Sequence, residues 1–160
     1  MLRFKIIVSI FLVLTYGVTA QHKPVLFPQP GEVKYNDAAK ALLLQNLAVL
    51  LPADAPKDVV FAINQLKKII QERTGNSIKL VTSPAVAQFK YSIRQKGFEL
   101  PAVSDSNKTS LREAYELNIS SNGIQVNATT STGLYYAVQT IGQLITGKGA
   151  TASLPSVTIK

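Results

Sequence analysis

The chain contains no cysteine. That absence excludes a disulfide framework, an iron–sulfur cluster, a thiol nucleophile and any cysteine-based zinc finger. Histidine is nearly absent too. His22 is the only one, so neither a histidine zinc site nor a serine–histidine nucleophile has its parts. Acidic residues number nine, and only Glu113 and Glu116 stand close together. On a strand, residues three apart point to opposite faces, so this pair cannot converge on one bond. No internal repeat, low-complexity tract or glycine-rich phosphate cradle is present. Stability must therefore come from packing, and the chain is long and apolar enough for it, with 160 residues of which 46% are hydrophobic and 16% charged.

Charge of one sign is in modest excess, at +8. The lysines and arginines are scattered, and their longest cluster, Lys67-Lys68, lies on a predicted helix, so the excess reads as solvated surface. No aromatic-and-arginine repeat accompanies it, and no nucleic-acid partner is expected.

The one long apolar run sits at the start. Arg3 and Lys5 precede Ile6 to Leu14, and Val18-Thr19-Ala20 places small residues where signal peptidase cuts. This is the pattern of a secretory signal peptide over residues 1–20, cleaved after Ala20. The run is about half of what a membrane span requires. A periplasmic or extracellular chain beginning at Gln21, without a membrane anchor, is the expectation. Loss of Arg3 and Lys5 leaves 15 basic against nine acidic residues, or +6.

Periodicity then lays out the elements. Val25 to Pro30 reads as an extended arm, because both prolines fix their own φ and bias the residue before them. Tyr35 to Gln45 is ambiguous, with apolar spacing compatible with a helical turn; Leu47 to Leu51 fits a buried strand. Val59, Ile63, Leu66 and Ile70 recur at helical spacing between Lys57 and Thr74, with Gly75 as the stop. Ile78 to Val81 and Phe89 to Ile93 read as strands, and residues 97–110 as a polar loop. Tyr115, Leu117 and Ile119 alternate into a hairpin with Ile124, Val126 and Ala128, and Asn122-Gly123 predicts a type I′ turn. A second helix carries Leu134, Val138, Ile141 and Ile145, with Ser131 or Thr132 as its cap and Gly147 as its end. Leu154 to Lys160 is a further extended segment. The fold class is α+β: two helices on one face of a largely antiparallel sheet of about five strands, in one domain.

Three segments carry a family resemblance. Glu113-Ala114-Tyr115-Glu116-Leu117, then Asn122-Gly123-Ile124, then Gly133-Leu134-Tyr135-Tyr136-Ala137-Val138-Gln139-Thr140-Ile141-Gly142-Gln143-Leu144 resemble the hairpin and helix that precede the barrel in family 20 β-N-acetylhexosaminidases. Phe27-Pro28-Gln29-Pro30 is similar to that family's opening, and Leu154-Pro155-Ser156-Val157-Thr158-Ile159 to its linker strand. The resemblance implies that residues 21–160 form the N-terminal accessory domain, zincin-like in fold without a metal centre. It also implies a catalytic TIM barrel C-terminal to Lys160. The barrel would carry the Asp-Glu pair of a substrate-assisted hydrolysis of terminal N-acetylhexosamine. On that reading the chain holds no catalytic, cofactor-binding or metal-binding residue, needs no cofactor, meets glycan only through the barrel, and is inactive alone.

A different class of function stays open beside it: a stand-alone secreted module, without catalysis, that recognises glycan through exposed aromatics such as Tyr35, Tyr91 or Tyr136. A third reading is the similar front domain of an O-GlcNAcase or α-glucuronidase, since fold alone does not settle function. Ser131-Thr132-Gly133 reads as a helix cap. Asn107, Asn118 and Asn127 begin glycosylation sequons in form, for which chance occurrence is the expectation. Of Tyr135 and Tyr136, one should face the sheet and the other solvent or a neighbouring domain.

Overall fold

A computed structural model describes residues 23–93 and 113–160. The signal-like segment, His22, Asn107 and the whole of the predicted polar loop lie outside the described residues.

Alternation and turn chemistry build most of the sheet. Strands β1 (Val33–Tyr35), β3 (Ala48–Leu50), β4 (Lys79–Val81), β5 (Phe89–Ile93), β6 (Tyr115–Ser120), β7 (Gly123–Ala128) and β9 (Val157–Ile159) form one seven-stranded sheet in the order β1-β9-β6-β7-β5-β3-β4. Strands β2 (Leu42–Leu43) and β8 (Ser153–Leu154) pair separately. Helix α1 spans Lys57–Thr74 and helix α2 spans Ser131–Leu144.

The antiparallel pairings hold the larger share of paired residues: β1 with β9, β9 with β6, and β6 with β7. A parallel wing of β7, β5, β3 and β4 completes the sheet. Parallel neighbours need a crossover, and α1 provides it between β3 and β4. The expectation of about five strands falls short because β1, β2 and β8 are only two or three residues long and too short for alternation to register. No helical turn forms in residues 35–45; that stretch holds the end of β1 and all of β2. The final segment is an interior strand, β9 lying between β1 and β6.

The core follows from period-two patterning. Phe89, Leu117, Ile119, Ile124, Val126, Val157 and Ile159 turn one sheet face inward, and each is at most 2% exposed. Val59, Ile63, Leu66 and Ile70 from α1, with Leu134, Val138 and Ile141 from α2, close over it. The two helices lie side by side on that single face, in contact with each other. The opposite face carries Lys90, Ser92, Glu116, Asn118, Gln125 and Asn127.

Three boundary details differ from the sequence reading. Helix α2 ends at Leu144, so Ile145, in extended backbone, lies just past it instead of on its stripe, and Gly147 lies beyond the end. The cap of α2 is Thr130, whose hydroxyl accepts a hydrogen bond from the Gly133 N–H at 3.4 Å, because α2 begins one residue earlier than the apolar spacing implied. The hairpin turn also sits one residue earlier. Ser120 pairs with Gly123, leaving Ser121 and Asn122 as the loop, and neither has positive φ, so the predicted type I′ geometry is absent. Gly123 is required for another reason. A Cβ there would meet the Gln88 carbonyl oxygen at 2.3 Å, where the backbone approaching β5 lets the Ile124 N–H donate to that same oxygen at 2.7 Å.

Candidate functional site

The helix layer presents its chemistry away from the sheet. On α1, Phe61 lies off the buried stripe of Val59, Ile63, Leu66 and Ile70 and is 55% exposed. Its ring stacks on Tyr135 of α2, with centroids 5.9 Å apart and planes 24° from parallel. Tyr135 in turn meets Tyr136 edge-on at 5.8 Å. Of the two tyrosines, Tyr135 is the one packed against the core, and it also leans sideways on α1, because the positions of α2 that face the sheet directly are filled by Leu134, Ala137, Val138 and Ile141.

Two hollows flank this aromatic row. One, of about 250 Å³, is lined by Asp58, Phe61, Ser131, Thr132 and Tyr135, where the first turns of both helices meet. The other, of about 220 Å³, is lined by Phe27, Pro28, Glu113, Tyr136, Gln139 and Gln143. Tyr115 and Thr140, hydrogen-bonded through their hydroxyls, complete its lining. Burial raises the Tyr115 hydroxyl above its ordinary pKa, and the Thr140 hydrogen bond opposes that rise.

The N-terminal arm reaches this second hollow through a two-ended clamp. The Phe27 N–H donates to Gln143 Oε1 at 2.7 Å, and Gln143 Nε2 donates to the Phe27 carbonyl at 2.8 Å. Leu26 is buried, while Val25 and Phe27 on either side are 88% and 84% exposed. Upstream, Lys23 pairs with Asp37 at 2.8 Å and lies 5.1 Å from the centre of the Tyr35 ring. A third hollow, of about 300 Å³, lies on the polar side of the hairpin turn, lined by residues that include Lys90, Asn118, Asn122 and Gln125.

The carboxylates are dispersed among these features. Glu116 pairs with Lys160 at 3.2 Å, Glu72 with Lys68 at 3.9 Å, and Glu32 with Lys34. Asp58 and Glu113 each line a hollow alone. Glu99 and Asp105 lie outside the described residues. Paired-carboxylate glycoside hydrolysis needs two carboxyls about 5 to 9.5 Å apart across the bond, and among the described residues none of the three hollows supplies two. Glu113 and Glu116 fall on different sides, Glu113 just ahead of β6 in the hollow and Glu116 on the polar face. No group of three or more histidine or carboxylate residues able to hold a metal occurs among the described residues. Ser131 and Thr132 line the first hollow, with no histidine beside them among the described residues.

The aromatics singled out from sequence divide. The Tyr35 ring packs on the core and its hydroxyl is enclosed without a partner among the described residues. Tyr91 is half-buried on the apolar sheet face, 6.4 Å from the Phe89 ring. Of the three, Tyr136 is the one that lines one of these three hollows. Phe27 and Phe61 were not anticipated, although Phe61 falls outside the α1 stripe and Val25 and Phe27 alternate with Leu26. Of the sequon asparagines, Asn118 is exposed on β6, whereas Asn127 Oδ1 accepts from Ser92 Oγ at 2.8 Å.

The comparisons with known proteins agree on a family. The model of glycosyl hydrolase family 20, domain 2, matches residues 23–160. The chain belongs to that family. No curated protein matches it. Among solved structures, the chitobiase of Flavobacterium johnsoniae superposes with a TM-score of 0.62 at 20% identity, covering 85% of this chain and 20% of that one. The family 20 exo-β-N-acetylglucosaminidase of Vibrio harveyi, in complex with N-acetylglucosamine, gives 0.62 at 19% identity over 86% of this chain and 19% of its own. The N-acetyl-β-hexosaminidase of Streptomyces plicatus gives 0.60 at 15% identity, over 85% and 26%. The family 20 domain thus spans about a fifth to a quarter of these chains. The family expectation drawn from the hairpin, the helix and the opening arm is borne out.

Proposed function

We infer that the chain is the non-catalytic accessory domain of a secreted β-N-acetylhexosaminidase, exported by a signal peptide cleaved after Ala20. Its role is to pack against a catalytic barrel that removes terminal N-acetylhexosamine from glycans. The observation that carries this reading is the family match over residues 23–160, together with relatives whose own chains are four to five times longer than the region they share.

Chemistry on the described residues does not compete with this reading, since among them Asp58 and Glu113 are the single carboxylates of their hollows. The test is an assay of two secreted proteins on a chromogenic N-acetylglucosaminide. The chain ending at Lys160 is expected to give no turnover, and a polypeptide continuing it into a family 20 barrel is expected to hydrolyse the substrate. Mass spectrometry of the secreted product should find Gln21 as its first residue. Hydrolysis by the chain ending at Lys160 that disappears in Glu113→Gln or Asp58→Asn would overturn the reading.

A further inference from the structure

The hollow between the N-terminal arm and α2 is built in a way that packing does not require. Phe27 is 84% exposed, yet its backbone N–H and C=O are both held by the Gln143 side chain. Holding the backbone of an exposed residue in this manner does little for the core. It does place that residue beside Tyr136 on the same hollow of about 220 Å³. The polar groups there are unspent. Among the described residues the Glu113 carboxylate, the Gln139 amide and the Tyr136 hydroxyl have no hydrogen-bond partner, whereas Gln143 is engaged by the arm through both its oxygen and its nitrogen.

We propose that this hollow is a binding site for one neutral pyranose unit of a glycan, with Phe27 as the stacking ring and Glu113 and Gln139 as the groups that read its hydroxyls. The chemistry selects the ligand. An aromatic ring beside polar groups favours a molecule with an apolar face and a hydroxylated edge, as a pyranose has. A carboxylate accepts only, and an amide both donates and accepts, so the ligand must bring donors of its own, as hydroxyls do. Among the described residues no lysine or arginine lines the hollow, and the Glu113 carboxylate repels like charge, which disfavours phosphates and uronic acids. The volume suits a single ring rather than an extended segment, being below the usual range of about 300 to 1,000 Å³ for larger ligands. The inference stands on the hollow's own residues, so it can hold or fail whatever becomes of the hexosaminidase reading.

The experiment is saturation-transfer NMR and calorimetric titration of the full secreted protein with lactose and cellobiose, which lack the acetamido group of the barrel's substrate, and with glucuronate and lysine methyl ester. At least one of the neutral disaccharides should bind with saturating behaviour, and glucuronate should not. Phe27→Ala and Gln139→Ala should each weaken that binding about five- to tenfold, with unchanged circular dichroism. Phe61→Ala removes an exposed ring outside the hollow and should leave binding as it was. Three results would overturn the proposal: no disaccharide binding by the folded protein, binding indifferent to Phe27→Ala and Gln139→Ala, or a response to lysine methyl ester without one to the sugars.

Discussion

Single residues here are decided by what lies opposite them. Gly123 and Gly75 both have positive φ, at 148° and 78°, and propensity alone treats them alike. A Cβ at Gly75 meets nothing within 4 Å, whereas one at Gly123 would strike the Gln88 carbonyl oxygen at 2.3 Å. Gly75→Ala should therefore cost about 1 kcal/mol, the price of a left-handed backbone at a helix end. Gly123→Ala should cost at least about 2 kcal/mol, since β5 or β7 must move. Urea unfolding of the two variants checks the ranking, and equal losses would contradict it. Phe61 and Ile63 form a second contrast on one helix. Ile63→Ala empties a fully buried site and should cost about 2 to 5 kcal/mol. Phe61→Ala should stay within about 1 kcal/mol, the scale of one exposed aromatic contact.

At the scale of elements, the arm and the helix layer depend on each other through one side chain. Gln143 lies on the last turn of α2 and satisfies both the N–H and the carbonyl of Phe27, 116 residues away in sequence. Gln143→Ala should free the arm and leave the sheet intact. Hydrogen exchange at the Phe27 amide should accelerate at least about tenfold while global stability falls by about 1 kcal/mol. Acceleration spread through β6 and β7 as well would show that the clamp supports the core instead. Much of the element layout was legible beforehand. The stripe of Val59, Ile63, Leu66 and Ile70 and the alternation of Tyr115, Leu117 and Ile119 are direct consequences of the helical and strand periods. The turn between β6 and β7 was misplaced by one residue. Asn-Gly favours a type I′ loop locally, but pairing Ser120 with Gly123 brings Gly123 against β5.

For the molecule as a whole, three tyrosines link stability to alkaline pH. Burial raises the hydroxyls of Tyr115, Tyr91 and Tyr35 above their usual value; Asp54 adds to the effect at Tyr91, while Thr140 at Tyr115 and Lys23 at Tyr35 oppose it. The folded state thus holds these protons more tightly than the unfolded chain. Their contribution is fully present below about pH 10, the unfolded tyrosine value, and is lost as pH rises through the folded values. The thermal midpoint should be insensitive to these groups between pH 7 and 9, taken as a range about one unit or more below that value, and fall above it together with the rise of tyrosinate absorbance. Tyr115→Phe should flatten part of that fall, and an unchanged slope would remove Tyr115 from the account.

Sequence by itself determined the helices, the hairpin, the absence of cysteine and histidine chemistry, and the family, because each rests on residue type or on spacing within about twenty positions. Only the tertiary structure decided that Val33–Tyr35 pairs with the final strand, that Tyr135 leans on Phe61, and that Phe27, Glu113, Tyr136 and Gln139 share one hollow. Those contacts join residues far apart in the chain, through strands too short to show a period and through side chains whose direction depends on the backbone they meet.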